Sequence, residues 1–143
     1  MPEVSERVTK FFGEFEANLA ASDPDTIAAL YAESFIFAGP ERVQAVRRDD
    51  LAKVLPKRQG YFKSLGLRSS RVVGLEEAGV DGQCVLVKAT WRMRFGAGDE
   101  PGSEVEVSST YLLRQQPDGL RIVFQLDHDD LARRAGHLTT RTS

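Results

Sequence analysis

The chain has 143 residues, 19 lysines and arginines against 21 aspartates and glutamates for a formal net charge of −2, 41% apolar residues and a single cysteine. This composition fits one globular domain, large enough to bury a core without disulfides or metal. Cys84 alone excludes an internal disulfide, no secretory leader is read at the start, and no apolar run approaches the ~20 residues of a membrane span. A reducing cytoplasm is therefore the expected location, with no membrane partner, and the lack of a basic stripe excludes nucleic acid as the main partner.

Val4, Val8, Phe11, Phe12, Phe15 and Leu19 recur at helical spacing and put an aromatic stripe on one side of a first helix. Ser22-Asp23-Pro24 offers a cap with proline at the first helical position, and Ile27, Leu30 and Tyr31 continue a short second helix. Phe35-Ile36-Phe37 reads as a short buried strand closed by Gly39-Pro40. Asp49 and Asp50 open a third helix carrying Leu51, Val54, Leu55, Phe62 and Leu65, with Pro56 expected to kink or split it and Gly66 to stop it.

From Leu67 the apolar period changes to two, giving strands over 70–78, 84–95, 104–116 and 119–128. Placing Arg94 opposite Glu104 aligns Arg92 with Glu106, Thr90 with Ser108 and Leu86 with Leu112 on one face. The other face then pairs Met93/Val105, Trp91/Val107, Ala89/Ser109, Val87/Tyr111 and Val85/Leu113 and is mostly apolar. Strict alternation in the last strand assigns Leu120, Ile122, Phe124, Leu126 and His128 to this inner face and Asp127 to the opposite one. The fold class is α+β: three N-terminal helices packed in the concave face of a curved, mainly antiparallel sheet, as one domain over 1–134 with a flexible tail over 135–143.

The run Ala29-Leu30-Tyr31-Ala32-Glu33-Ser34 followed by Phe35 to Pro40, with the order and lengths of the elements over about residues 4–130, resembles the nuclear-transport-factor-2-like superfamily, which includes ketosteroid isomerase, scytalone dehydratase and polyketide-cyclase-like proteins. The resemblance implies a conical half-barrel with a pocket at its open end, and a homodimer through the outer sheet face. It also implies where ketosteroid isomerase would keep its machinery. Gly39 stands where that enzyme has its carboxylate base, Phe15 where it has its oxyanion-binding tyrosine, and Tyr111 where it has a second donor, while Tyr31 and Tyr61 match supporting tyrosines. Steroid isomerisation is therefore disfavoured.

The expected pocket is lined by Phe15, Tyr31, Phe35, Tyr61, Trp91, Tyr111, Phe124, Leu126 and His128. Phenol groups on Tyr31 and Tyr111 can polarise a ligand oxygen, and His128 can exchange a proton near neutral pH; these three are the candidate catalytic residues. Arg42, Arg47 and Arg48 near the cone mouth either steer an anionic ligand or form solvated surface. Asp127, Asp129 and Asp130 beside His128 do not make a metal set at a strand end, and no phosphate-binding loop or nucleophile elbow occurs, so neither metal nor cofactor is expected. The favoured function is a small-molecule-binding domain for a hydrophobic or aromatic compound. The alternatives are a cofactor-independent isomerase, dehydratase or cyclase using His128 and the tyrosines, and a dimeric interaction module.

Overall fold

The aromatic stripe forms helix α1, Glu6–Ala21, in the computed structural model, which describes residues 4–96 and 102–129. Chain order continues with α2 (Pro24–Ala28), β1 (Tyr31–Ala38), β2 (Val43–Arg47), α3 (Arg48–Ser64), β3 (Leu67–Gly79), β4 (Cys84–Phe95), β5 (Ser103–Gln116) and β6 (Gly119–Asp127). The helices sit on one side of a six-stranded curved sheet of order β2-β1-β6-β5-β4-β3. All neighbours are antiparallel except β1 and β6, which run parallel.

Val8, Phe11, Phe12 and Phe15 are the buried side of α1. Two carboxylates fix this helix along β3: Glu77 Oε1 accepts from the Ser5 N–H and hydroxyl at 2.8 and 2.9 Å, and Glu16 accepts from the Val72 N–H. Each satisfies a backbone donor that a helix start or a sheet edge otherwise leaves open. Asp23 caps α2 as expected, its carboxylate accepting from the Asp25 N–H at 3.0 Å.

Three expectations for the first half change. Tyr31 opens β1 rather than continuing α2, because the sheet claims its backbone: it lies beside Ile122 in the parallel pair, and the Ile122 N–H donates to the Leu30 carbonyl at 2.9 Å. Strand β2 has no counterpart in the sequence reading, since an edge strand with only Val46 half-buried carries no alternation to detect. Helix α3 runs unsplit through Pro56, which is exposed while Leu55 and Phe62 anchor the buried side. Gly66 does end α3, at φ +88, where a Cβ would meet the Gly96 carbonyl oxygen at 2.9 Å.

The β4–β5 pairing has the register anticipated from charge and hydropathy, from Arg94 opposite Glu104 through Val85 opposite Leu113. Glu104 and Glu106 meet Arg94 and Arg92 on the outer face at 3.2 and 2.8 Å. The inner face of the pair carries Val85, Val87, Ala89, Trp91, Met93, Val105, Val107, Tyr111 and Leu113 into the core.

Strand β6 departs from strict alternation. Leu113 pairs with Ile122 but Leu112 pairs with Phe124, so Val123 is an extra residue that β5 does not match. Such a bulge turns every later side chain over. Leu120 and Ile122 face the core as expected, whereas Phe124, Leu126 and His128 share the outer face with Leu112, Thr110 and Ser108, and Gln125 and Asp127 turn inward beside Tyr111 and Ser109. The expected inner positions of Phe124, Leu126 and His128, and the outer position of Asp127, are corrected accordingly. The boundary at 134 and 135, the tail over 135–143 and Asp130 lie outside the described residues.

Candidate functional site

Helix α1 brings Phe12 and Phe15 against Trp91 of β4 and Tyr111 of β5, with ring centroids 5.1 Å apart for Phe15 and Trp91 and 5.3 Å for Phe12 and Tyr111. Tyr31 and Phe35 of β1 add a ring pair at 4.6 Å. All six are buried, so five of the expected lining residues, Phe15, Tyr31, Phe35, Trp91 and Tyr111, converge on the concave side. Tyr61 does not join them in the core: it is 44% exposed on α3, its ring edge-on to Phe62.

Polar atoms on these rings are paired, as burial demands. Trp91 Nε1 donates to Tyr111 Oη at 3.1 Å, and Tyr31 Oη donates to Gln125 Oε1 at 2.5 Å. The Gln125 amide in turn donates to Asp127 Oδ1 at 2.9 Å, and the Ser109 hydroxyl donates to the same oxygen at 2.7 Å. Asp127 Oδ2 has no hydrogen-bond partner among the described residues. Gln125 and Asp127 are only half-buried, as is Phe37 on the neighbouring strand, so this end of the interior is accessible while the ring cluster is not.

Burial pushes the Tyr31 phenol well above its ordinary range, with Tyr111 and the Asp127 charge adding to the effect and Arg58 opposing it. Tyr111 is raised by burial and then by Asp127, against its hydrogen bonding with Trp91 and Ser109 and the charge of Arg58. Both phenols therefore stay protonated donors beside a carboxylate acceptor.

His128 lies outside this cluster. It is exposed on the outer face, with Nε2 2.7 Å from Thr110 Oγ1 and its backbone N–H donating to Ser108 at 3.0 Å. Asp127 and His128 accordingly face opposite ways and form no dyad. The sequence reading missed Ser109, Gln125 and Asp127 as a polar group. The run Ile122-Val123-Phe124 breaks the alternation of this strand but fits either register, so it marks an irregularity without showing which later residues turn inward.

Helices over the concave face of a curved sheet, with a polar end to an apolar interior, define a cone of the NTF2-like class. The chain belongs to the family described as NTF2-like protein (DUF6841), which it matches over residues 2–130. Among solved structures it is similar to Aln2 from a Streptomyces species, with TM-score 0.74 and 17% identity over 94% of this chain and 97% of that one. It is also similar to ActVI-ORFA from Streptomyces coelicolor, with TM-score 0.72 and 15% identity over 87% and 96% of the two chains. An NTF2-like protein with a cystatin-like fold from Novosphingobium aromaticivorans aligns with TM-score 0.71 and 12% identity over 91% and 86%. At these identities the likenesses show the fold alone. No curated protein matches the chain, and no helix among the described residues is long and apolar enough to cross a membrane.

Proposed function

We propose that the concave side of the sheet binds a hydrophobic or aromatic small molecule, oriented by the polar group that ends in Asp127. What carries this reading is Asp127 itself: one carboxylate oxygen is held by Gln125 and Ser109, and the other has no partner among the described residues. A half-buried acceptor left open next to aromatic rings is the kind of orienting group that ligand pockets use. Native mass spectrometry of the purified protein tests it. A retained aromatic metabolite that is lost in Asp127→Leu but kept in the outer-face variant His128→Ala supports the reading; equal retention in both variants, or none in the parent protein, contradicts it.

A second reading is cofactor-independent lyase or isomerase chemistry, with Asp127 as base and Tyr31 or Tyr111 as hydrogen-bond donor to a developing oxyanion. The observation favouring it is that the Tyr31 hydroxyl connects to Asp127 through Gln125, with Tyr111 the partner of Gln125 across β5 and β6. His128 has no part in it, and neither Gly39 nor Phe15 offers the groups that steroid isomerisation needs. Turnover abolished in Asp127→Asn with the fold intact distinguishes an enzyme from a binder, which shows ligand-dependent thermal stabilisation without turnover.

The outer face supports a homodimer. Leu86, Leu112, Phe124 and Ile36 are successive partners across β4, β5, β6 and β1, and they form an apolar row in which Leu86 and Ile36 are each 37% exposed. Sedimentation should give a dimer that Phe124→Glu converts to monomer. The lone Cys84 fits a reducing compartment such as the cytoplasm.

A further inference from the structure

A cavity of about 410 Å³ lies at the β3 edge of the sheet, and its walls include Glu16 of α1, Ser69 and Arg71 of β3, Arg92 and Arg94 of β4 and Glu104 of β5. Strands β4 and β5 separate this edge from β6, so the cavity is distinct from the group around Asp127. Strand β3 is irregular on both sides of it. The register with β4 shifts between Leu67 and Ser69 and again between Val72 and Gly74, leaving Arg68 and Val73 unmatched. Such bulges bend a strand and re-aim its side chains, and here they bracket Ser69 and Arg71.

The register sets Arg71 directly opposite Arg92, and Ser69 opposite Arg94. Like charges facing each other across two strands repel, and an anion between them relieves the repulsion. The neighbouring acids are engaged elsewhere. Glu106 Oε2 accepts from Arg92 Nε and Nη2 at 3.1 and 2.8 Å, and Glu104 meets Arg94 Nε at 3.2 Å and Arg92 Nε at 3.9 Å. Glu16 accepts from the Val72 N–H. Arg71 has no hydrogen bond or ion pair among the described residues. Arg92 Nη1, both Nη atoms of Arg94 and the Ser69 hydroxyl likewise have no hydrogen bond there.

Adjacent strands stand about 4.8 Å apart and alternate residues of one strand about 6.7 Å, so three arginines rooted here can reach a common point. They arrive from two strands rather than as one fork. A single arginine saturates a planar carboxylate, whereas the terminal oxygens of a phosphate monoester accept from several at once. The cavity has room for more than the phosphate, and a hydroxyl and two carboxylates on its walls suit a body that carries hydroxyls. We infer that this cavity is a second ligand site, for a small phosphorylated sugar or polyol: phosphate oxygens on Arg71, Arg94 and the Ser69 hydroxyl, sugar hydroxyls toward Glu104 and Glu16. The site goes beyond the small-molecule reading of the concave side and does not depend on it.

Calorimetric titration with ribose 5-phosphate, ribose and inorganic phosphate tests the inference. Ribose 5-phosphate should bind saturably and more tightly than inorganic phosphate, ribose should give no detectable binding, and added salt should weaken both phosphate compounds. Arg71→Gln should weaken ribose 5-phosphate about tenfold or more, the loss of a charge-assisted contact, and Arg71→Lys should restore part of it. Because Arg71 is exposed and unpaired, neither change should lower Tm. Arg114→Gln, which removes an exposed arginine of β5 outside the cavity, should leave the affinity unchanged. Absence of saturable ribose 5-phosphate binding, full retention in Arg71→Gln, or equal weakening in Arg71→Gln and Arg114→Gln overturns the site, the last by showing attraction through overall charge alone. Inorganic phosphate binding as tightly as ribose 5-phosphate overturns the sugar-bearing ligand. None of these outcomes bears on the reading of the Asp127 group.

Discussion

The two halves of β6 sit in one strand between the same neighbours, yet they build different interiors. Before Val123, Leu120 and Ile122 are buried apolar side chains, and Ile122 is fully enclosed. After it, Gln125 and Asp127 face the same interior and carry hydrogen bonds to Tyr31 and Ser109. One unmatched residue separates a packing surface from a polar site. The lesson is that the chemistry of the concave face depends on register as much as on composition.

Stability measurements can break this comparison. The largest effect is expected on the packing side, where Ile122→Ala should cost about 2–5 kcal/mol in urea denaturation, the range for truncating an enclosed aliphatic chain. Phe124→Ala removes more atoms and should cost less, because its ring lies on the outer face. The reverse order would mean that Val123 is not a bulge. Next comes the polar side: Tyr31→Phe strips the donor from the half-buried Gln125 Oε1 and should cost about 0.5–1.5 kcal/mol, the usual net worth of one hydrogen bond. His128→Ala, on the exposed surface, should stay within about 0.5 kcal/mol of the parent.

Alkaline titration sharpens the same contrast. Tyr31 and Tyr111 hold their protons to higher pH in the folded chain than in the unfolded one. The unfolded state therefore binds fewer protons above the ordinary tyrosine range near pH 10, and stability should fall as pH rises beyond it. Below that range the two phenols should contribute no pH dependence. The double variant Tyr31→Phe/Tyr111→Phe should flatten the alkaline decline; an unchanged slope would show that the phenols are not held in a desolvated setting. The smallest effect belongs to the outer ladder of Arg92 and Glu106, whose side chains are 43% and 51% exposed. A double-mutant cycle there should give little coupling, fading with added salt.

How much of this was legible in the sequence follows from what each segment has to match. The β4–β5 register was readable because two arginines and two glutamates on one face, and apolar residues on the other, admit one good alignment. Helix α1 was readable from its phenylalanines, and the cone from element order. The bulge was not, because Val123 is as apolar as its neighbours and an unbroken apolar run fits either register. Strict alternation consequently points Asp127 of the candidate site outward, whereas the register turns it inward. Strand β2 was hidden for the opposite reason: its exposed side chains carry no burial pattern, and its pairing with β1 is made by backbone groups.

The most direct test of the inward turn after Val123 is a set of nuclear Overhauser contacts from the Gln125 side-chain amide. Contacts to the Tyr31 ring and Asp127, with the His128 ring close to Thr110, are the expected result. Contacts from that amide to Ile36, Leu112 or Leu126, with His128 near Tyr111, would place the polar group on the outer face and contradict the site.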